Sequence, residues 1–407
     1  MKITPFRTTV VATFLILFFA TSGWSQDSRG YELLPYPDVW YNDVDGIRVG
    51  ARLIGQVPGT FGDGPHRLNA GVWLGTWWPE NPVSYNFVFT EPIPSISGFN
   101  SEGNVQLLSS VRTGLSRHSI RFNKRWQPGF NEYHYFEISA GLTTQKRFDL
   151  AYTQYPNTWQ QDWLWLGNLQ FRLQNENGLG RYRFHSDLSV NMFGDAPSFT
   201  QSETQFVQRA LLGKGFVLRG RLFAGIASNQ AVPEFLFGRS FRSTGQWVQN
   251  SLVRAKGTIP TTWMDSGIFQ VAGGANLRGY SEQDISALER GQRPLLTSVG
   301  SVNIEIDYPN PVDHAIKKIP TVGKLMQLRS YLFNDTGTSL GLTGQEESRV
   351  LSDAGLGFML SLNIPDYLGN PRGLMLRYDI PLWLSHPEGD QHFSYRSVVG
   401  VGAIFTF

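Results

Sequence analysis

Apolar and polar residues alternate with a period of two along most of this chain. At the C-terminus, Tyr395, Ser397, Val399, Val401, Ala403, Phe405 and Phe407 share one face, and Arg396, Val398, Gly400, Gly402, Ile404 and Thr406 the other. Upstream, Leu374, Leu376, Tyr378, Ile380, Leu382 and Leu384 oppose Met375, Arg377, Asp379 and Trp383. Before them, Ala354, Leu356, Phe358, Leu360, Leu362 and Ile364 oppose Gly355, Gly357, Met359, Ser361 and Asn363. Strict alternation of this kind predicts β-strands. Nearer the N-terminus, Ile47, Val49, Ala51 and Leu53 alternate with Arg48, Gly50, Arg52 and Ile54, and Leu68, Ala70, Val72 and Leu74 with Arg67, Asn69, Gly71 and Trp73. Tyr85, Phe87 and Phe89 oppose Ser84, Asn86 and Val88, and further strands are predicted near 116–126, 133–143, 164–173, 181–192, 204–212 and 216–226.

An outer face this continuously apolar would aggregate in water. In a bilayer it is the lipid-facing band of a barrel whose polar residues face the lumen. Hydrocarbon offers the backbone no hydrogen-bond partner, so such a sheet must close on itself. The pattern therefore predicts an all-β fold, a transmembrane antiparallel β-barrel. Strands of ~10 residues with their turns use roughly 20–25 residues each, which gives about 16 strands. Trp77, Trp78, Trp126, Trp159, Trp163 and Trp165 lie near predicted strand ends, where interfacial girdles form.

Composition agrees. The 407 residues are 14% aromatic and only 17% charged, with 43 glycines, whereas soluble domains carry about 25% charged residues. Mean hydropathy is −0.22, too polar for a bundle of membrane helices. Lys2 and Arg7 precede an apolar run, Val10 to Ala20, and then the small residues Thr21, Ser22, Gly23 and Ser25. This is the layout of a secretory signal peptide, cleaved after residue 25. Residues 26–42 read as a short segment before a barrel over 43–407. Without cysteine there is neither a disulfide framework nor a lipid-anchoring thiol. Without Lys2 and Arg7, 33 basic residues stand against 33 acidic ones, which argues against nucleic acid as a partner.

One connection carries specific chemistry: Val271-Ala-Gly-Gly-Ala-Asn-Leu-Arg-Gly-Tyr280. Gly273 and Gly274, a short polar spacer, then Arg278, Gly279 and Tyr280 form a turn that presents a single cation. It lacks the Gly-Lys-Ser/Thr ending of a phosphate loop and the βαβ context of a dinucleotide site. No cofactor is expected. Two later segments supply acids. Alternation places Ser301, Asn303, Glu305 and Asp307 on the lumen face, and Asp335 shares parity with Arg329, Tyr331 and Phe333. A loop arginine folded into the lumen would meet two carboxylates there.

The Gly-Gly…Arg-Gly-Tyr loop, the Glu305 strand ending in Tyr308-Pro309-Asn310-Pro311, the segment Phe333-Asn-Asp335-Thr-Gly337 and the terminal Phe407 resemble the C-terminal barrel of the BamA/TamA/TpsB superfamily, the bacterial surface antigen barrels. The resemblance is specific over 267–407 and rests on strand pattern and length before that. It implies a Gram-negative outer-membrane location and insertion directed by the last strand with Phe405 and Phe407. It also implies a long extracellular loop whose Arg278 docks on Glu305 and Asp335. Family members usually carry periplasmic polypeptide-binding (POTRA) domains, and none fits this chain. Gly400 and Gly402 weaken the closing strand locally. They are read either as part of a seam that parts sideways, as proposed for the family, or as packing space around the loop.

The function implied is protein assembly, translocation or partner-gated transport, with outer-membrane lipids and a polypeptide client, a partner subunit or a second copy as partners. A passive porin, its lumen lined by Arg52, Arg67, Arg112, Arg121, Arg377 and Asp379, is one alternative. A structural subunit of an outer-membrane complex is another. No enzyme is expected. His66, His118, His134, His185, His314, His386 and His392 are scattered without metal-ligand spacing, and Ser301, Ser361 and Ser394 are ordinary strand residues. The nearest local pair for catalysis is Asp390 and His392.

Overall fold

The computed structural model describes residues 31–407 apart from 43–45, 57–66, 78–81, 113, 130, 132, 149–158, 241–268, 290–294, 342–348, 366–370, 402–403 and 405–407. The predicted signal segment, Trp78, Gly402, Phe405 and Phe407 therefore lie outside the described residues. The strands are β1 (Glu32–Asn42), β2 (Gly46–Gln56), β3 (Arg67–Gly75), β4 (Val83–Pro92), β5 (Ser101–Arg112), β6 (Leu115–Trp126), β7 (Tyr135–Arg147) and β8 (Leu164–Asn177). They continue as β9 (Gly180–Phe193), β10 (Phe199–Gly213), β11 (Phe216–Ala227), a short β12 (Phe269–Val271), β13 (Ser298–Tyr308), β14 (Met326–Ser339), β15 (Leu351–Pro365), β16 (Pro371–Leu384) and β17 (Val398–Val401).

All except β12 form one antiparallel meander, each strand paired with the next and β11 with β13. The upper end of the sheet, where β11 finishes, carries the long connections 148–163, 228–297, 340–350 and 385–397. Turns at the opposite end are mostly tighter, such as 178–179 and 214–215, although 309–325 holds helices α1 (Pro311–Lys317) and α2 (Val322–Leu325). Asn310 caps α1 through a bond from the Val312 N–H.

Alternation sets what each face meets. On β13, Val302, Ile304 and Ile306 are exposed and Ser301, Asn303, Glu305 and Asp307 buried, a run in which the charged side chains lie inside. Val49, Val72, Leu74, Ile120, Phe122, Leu142, Leu169, Leu332 and Leu376 continue the exposed apolar face. The described residues of the connection 228–297 lie against the opposite, polar face. It touches β7 through Glu234 and Arg147, β11 through Gly274 and Arg221, and β13, β14 and β16 through Arg278. A sheet whose distant strands all contact one segment must curl around it, so the architecture is a β-barrel wall about an inward-folded connection. Aromatic and aliphatic residues of the connection (Phe235, Phe237, Leu277, Tyr280) pack with Leu164, Leu166, Phe199, Phe223 and Val299 in the main apolar cluster.

The structure departs from the sequence reading at four places. Residues 32–42 belong to the sheet as β1, not to a segment before it; Pro35 and Pro37 obscure the alternation, yet both keep register with β2, and proline is tolerated in a strand with an open edge. Leu384 is buried rather than outward. The β15–β16 register steps from Ala354↔Trp383 to Gly355↔Pro381, and this β-bulge turns Leu384 into the apolar cluster. Tyr395, Arg396 and Ser397 also precede the described last strand and are not part of it. That strand spans Val398–Val401, Val401 is covered by β12, and Ile404 packs inward on Ala272 and Val207. Finally, Trp159 is buried beneath Arg147, 4.0 Å from its ring centroid, and is no part of a girdle, whereas Trp77, Trp126, Trp163 and Trp165 are exposed.

Candidate functional site

The loop that carries Arg278 is built in three steps. β12 lies parallel to β17, with Gln270 opposite Gly400 and Val271 opposite Val401, and the Ala272 N–H donates to Val401 O at 3.2 Å. The chain then turns through Gly274 (φ +59°) and Asn276 (φ +56°), left-handed conformations that favour glycine and, next, asparagine. A single 3-10 turn, Arg278–Tyr280, follows and leads into helix α3 (Ser281–Glu289).

That turn delivers a guanidinium with no solvent exposure. Arg278 Nε and Nη2 donate to Asp335 Oδ2 and Oδ1 at 2.7 and 2.9 Å, a bidentate fork. Nη1 donates to Glu305 Oε1 at 2.9 Å and to Asp379 Oδ1 at 3.3 Å. Phe333 lies beneath, 3.9 Å from ring centroid to guanidinium carbon. Burial disfavours the charge, but the Asp335, Asp379 and Glu305 carboxylates outweigh it and hold the arginine's pKa well above its ordinary value.

The carboxylates are themselves held in place. Asn303 donates to Asp335 Oδ1 at 2.9 Å and to the loop carbonyl of Ala275 at 3.1 Å. Arg221 reaches Asn303 Oδ1 and the Gly274 carbonyl at 2.9 and 2.8 Å. Tyr331 donates to Asp379 Oδ1 at 2.7 Å, and Arg329 pairs with Glu305 and Asp307. Gly279 donates its N–H to Asp353 Oδ2 at 3.1 Å; a Cβ there would come within 2.3 Å of Leu384 Cδ2 and 2.9 Å of Asp353 Cβ, so a larger residue would force those side chains to shift. Tyr280 donates to the Ser352 carbonyl and bonds Ser385 Oγ, both at 3.1 Å, and accepts the His386 N–H at 3.2 Å.

Two further anchors secure the connection. Glu234 is buried with Arg147 Nη1 at 2.6 Å and accepts the Gln160 N–H at 2.7 Å; burial nevertheless keeps its pKa above the ordinary carboxylate value. Asp284, on helix α3 (Ser281–Glu289), accepts from Ser240 N and Oγ at 3.0 and 2.6 Å, with Arg239 at 3.7 Å. Burial pushes the Asp284 carboxyl up to about 6 despite those partners. The folded state therefore binds this proton more tightly than the unfolded state does. Its contribution to stability is greatest below the ordinary value of 3.8 and falls as pH rises towards about 6. Asp284→Asn is expected to flatten this slope, measured as limited proteolysis of the 228–297 connection between pH 4 and 7. An unchanged pH profile would reject the assignment. Asp284, Tyr280, Arg239, Arg349, His386 and His392 line a cavity of about 760 Å³ at the upper end.

Of the residues singled out in the sequence, Arg278, Gly279, Tyr280, Glu305 and Asp335 converge here, with Gly273 and Gly274 forming the approach. At Gly400 a Cβ would sit 3.0 Å from Arg377 Nε. Asp379 and Asp353 were not foreseen as members of the cluster. Asp379 had the right parity, but its place in one row with Tyr331 and Asp307 depends on the registers of β14, β15 and β16. Arg377, read as a lumen residue, donates to Gln270 Oε1 at 2.6 Å and lies 2.5 Å from Asp379. Asp390 and His392 border the upper cavity, and among the described residues no cluster of metal-binding side chains occurs.

No protein-family model and no curated protein matches the sequence. Among solved structures, the chain is similar to BamA from Haemophilus ducreyi lacking POTRA domains 1–3, at 15% identity and a TM-score of 0.45, over 92% of this chain and 71% of that one. It is also similar to Wzi, an outer-membrane protein involved in group 1 capsule assembly in Escherichia coli and a carbohydrate-binding β-barrel. That match has 10% identity and a TM-score of 0.29, over 91% of this chain and 81% of that one. Likeness at this level carries no inference about activity.

Proposed function

We propose that the chain is an outer-membrane β-barrel whose inward connection is a charge-latched plug, working in polypeptide assembly or translocation, or in transport gated by a partner. The observation that carries this reading is the Arg278 guanidinium, wholly buried and held by carboxylates from three wall strands. A buried ion cluster is costly to desolvate and contributes little net stability over an apolar core. Its value lies in specifying one docked position for a connection that could otherwise leave the lumen. The exposed apolar face of the wall supports a bilayer location. The loop and strand motifs shared with surface antigen barrels support the assembly or translocation role.

Planar-bilayer recording tests the plug. The wild-type protein is expected to show little steady conductance, and Asp335→Arg to open large, fluctuating channels. Steady, large channels in the wild type would replace this reading with a passive porin.

A further inference from the structure

We propose that the lumen faces of β6–β9 form a binding site for a soluble oxyanion, centred on Arg117 and Arg121. Alternate positions of β6 point into the lumen: Arg117, Arg121 and Arg125 lie opposite Gln145, Gly141 and Glu137 of β7, while Ile120, Phe122 and Trp126 are exposed on the outer face. At 3.4 Å per residue, this row descends about 27 Å from Arg117 to Arg125. It begins two positions below Arg147, which the plug occupies through Glu234.

Of the acids on this wall, Glu137 is committed to arginines, and Asp187 contacts His185 but keeps Oδ1 without a hydrogen-bond partner. Glu137 pairs with Arg125 at 3.7 Å and Arg172 at 3.4 Å, and Asp187 with His185 at 2.9 Å. Among the described residues no carboxylate lies within ion-pair distance of Arg117 or Arg121. Instead each feels like charge, Arg117 from Arg121 and Arg147, and Arg121 from Arg172, with Glu137 and Asp187 acting on Arg121 only from further away. The Nε atoms of Arg117, Arg125 and Arg209 are buried with no protein acceptor. Repelling guanidinium groups with unfilled donors lose little and gain much when a multiply charged oxyanion enters, because the planar fork matches its geometry. The nearby inward residues Ser119, Asn123, Ser139, Thr143 and Asn168 are polar, which suits a soluble anion and not an acyl chain. On the β13–β16 wall Glu305, Asp307, Asp335, Asp353 and Asp379 outnumber Arg329 and Arg377, so the two sides of the lumen differ in charge balance.

The test is titration of the detergent-solubilised full chain with inorganic diphosphate by isothermal calorimetry in 0.1 M NaCl. Saturable binding is expected, weakened about tenfold or more in R117Q/R121Q through the loss of charge-assisted hydrogen bonds, and unchanged in K214Q at the exposed lower-end turn. R117K/R121K, which keeps the charge but not the fork, separates loss of the site from misfolding and is expected to bind with intermediate strength. Absence of saturable binding by the wild type overturns the proposal, as does equal binding by the wild type, R117K/R121K and R117Q/R121Q. The readout is binding, not conductance, so it stands whether or not the plug leaves the lumen.

Discussion

Asp335→Arg is expected to destabilise the barrel by about 3–5 kcal/mol, the cost of leaving buried charges unpaired. The substitution removes the bidentate partner of Arg278 and sets a second guanidinium beside it, in a position with no solvent exposure. Glu305 is already shared between Arg278 and Arg329, and Asp353 Oδ1, opposite position 335 and without a partner, offsets only part of the new charge. Combining Asp335→Arg with Arg278→Asp restores opposite signs across the contact but not the flat stacking on Phe333, so partial recovery is expected. Urea unfolding of the detergent-solubilised protein, run as a double-mutant cycle, measures the coupling. Strictly additive effects would show that the two residues do not act as a pair.

The second large effect is expected at Glu234. Glu234→Ala leaves Arg147 buried over the Trp159 ring without its carboxylate and deprives the Gln160 N–H of its acceptor. A loss of about 3–5 kcal/mol is expected here as well, but its location differs. The Glu234 contact joins the connection to β7, far around the wall from the Arg278 cluster, so the connection should loosen at this end while the cluster holds. Limited proteolysis followed by mass spectrometry is expected to show faster cutting near residue 234 and unaltered protection near residue 278. Glu234→Gln, which retains an acceptor for Gln160 but not the charge, should fall between. Equal protection of both regions in Glu234→Ala would show that this buried pair does not anchor the plug.

The strand pattern made β13 legible in detail, because each apolar residue from Val302 to Ile306 is followed by a polar one and every polar one is buried. The same parity placed Asp335 beside Tyr331 and Phe333. Legibility failed where geometry does not repeat with period two. The bulge opposite Ala354 and Gly355 reversed Leu384, prolines masked β1, and β12, only three residues long, has no alternation to read. Asp379 and Asp353 escaped because alternation does not give the register between neighbouring strands, which sets Asp353 opposite Asp335 and Asp379 in one row with Tyr331 and Asp307. The Arg147–Glu234 pair spans 87 residues and links a strand to an irregular segment, so no local pattern announces it.

β17 offers hydrogen-bonding edges on both sides. One is occupied by β16 and, among the described residues, the other by β12, whose pairing with it runs only from Phe269 to Val271. Because β12 continues directly into the turn that carries Arg278, withdrawing that arginine also pulls on a three-rung zipper at the end of the sheet. Under the proposed function, release of the cation and exposure of this strand edge are coupled in one mechanical event.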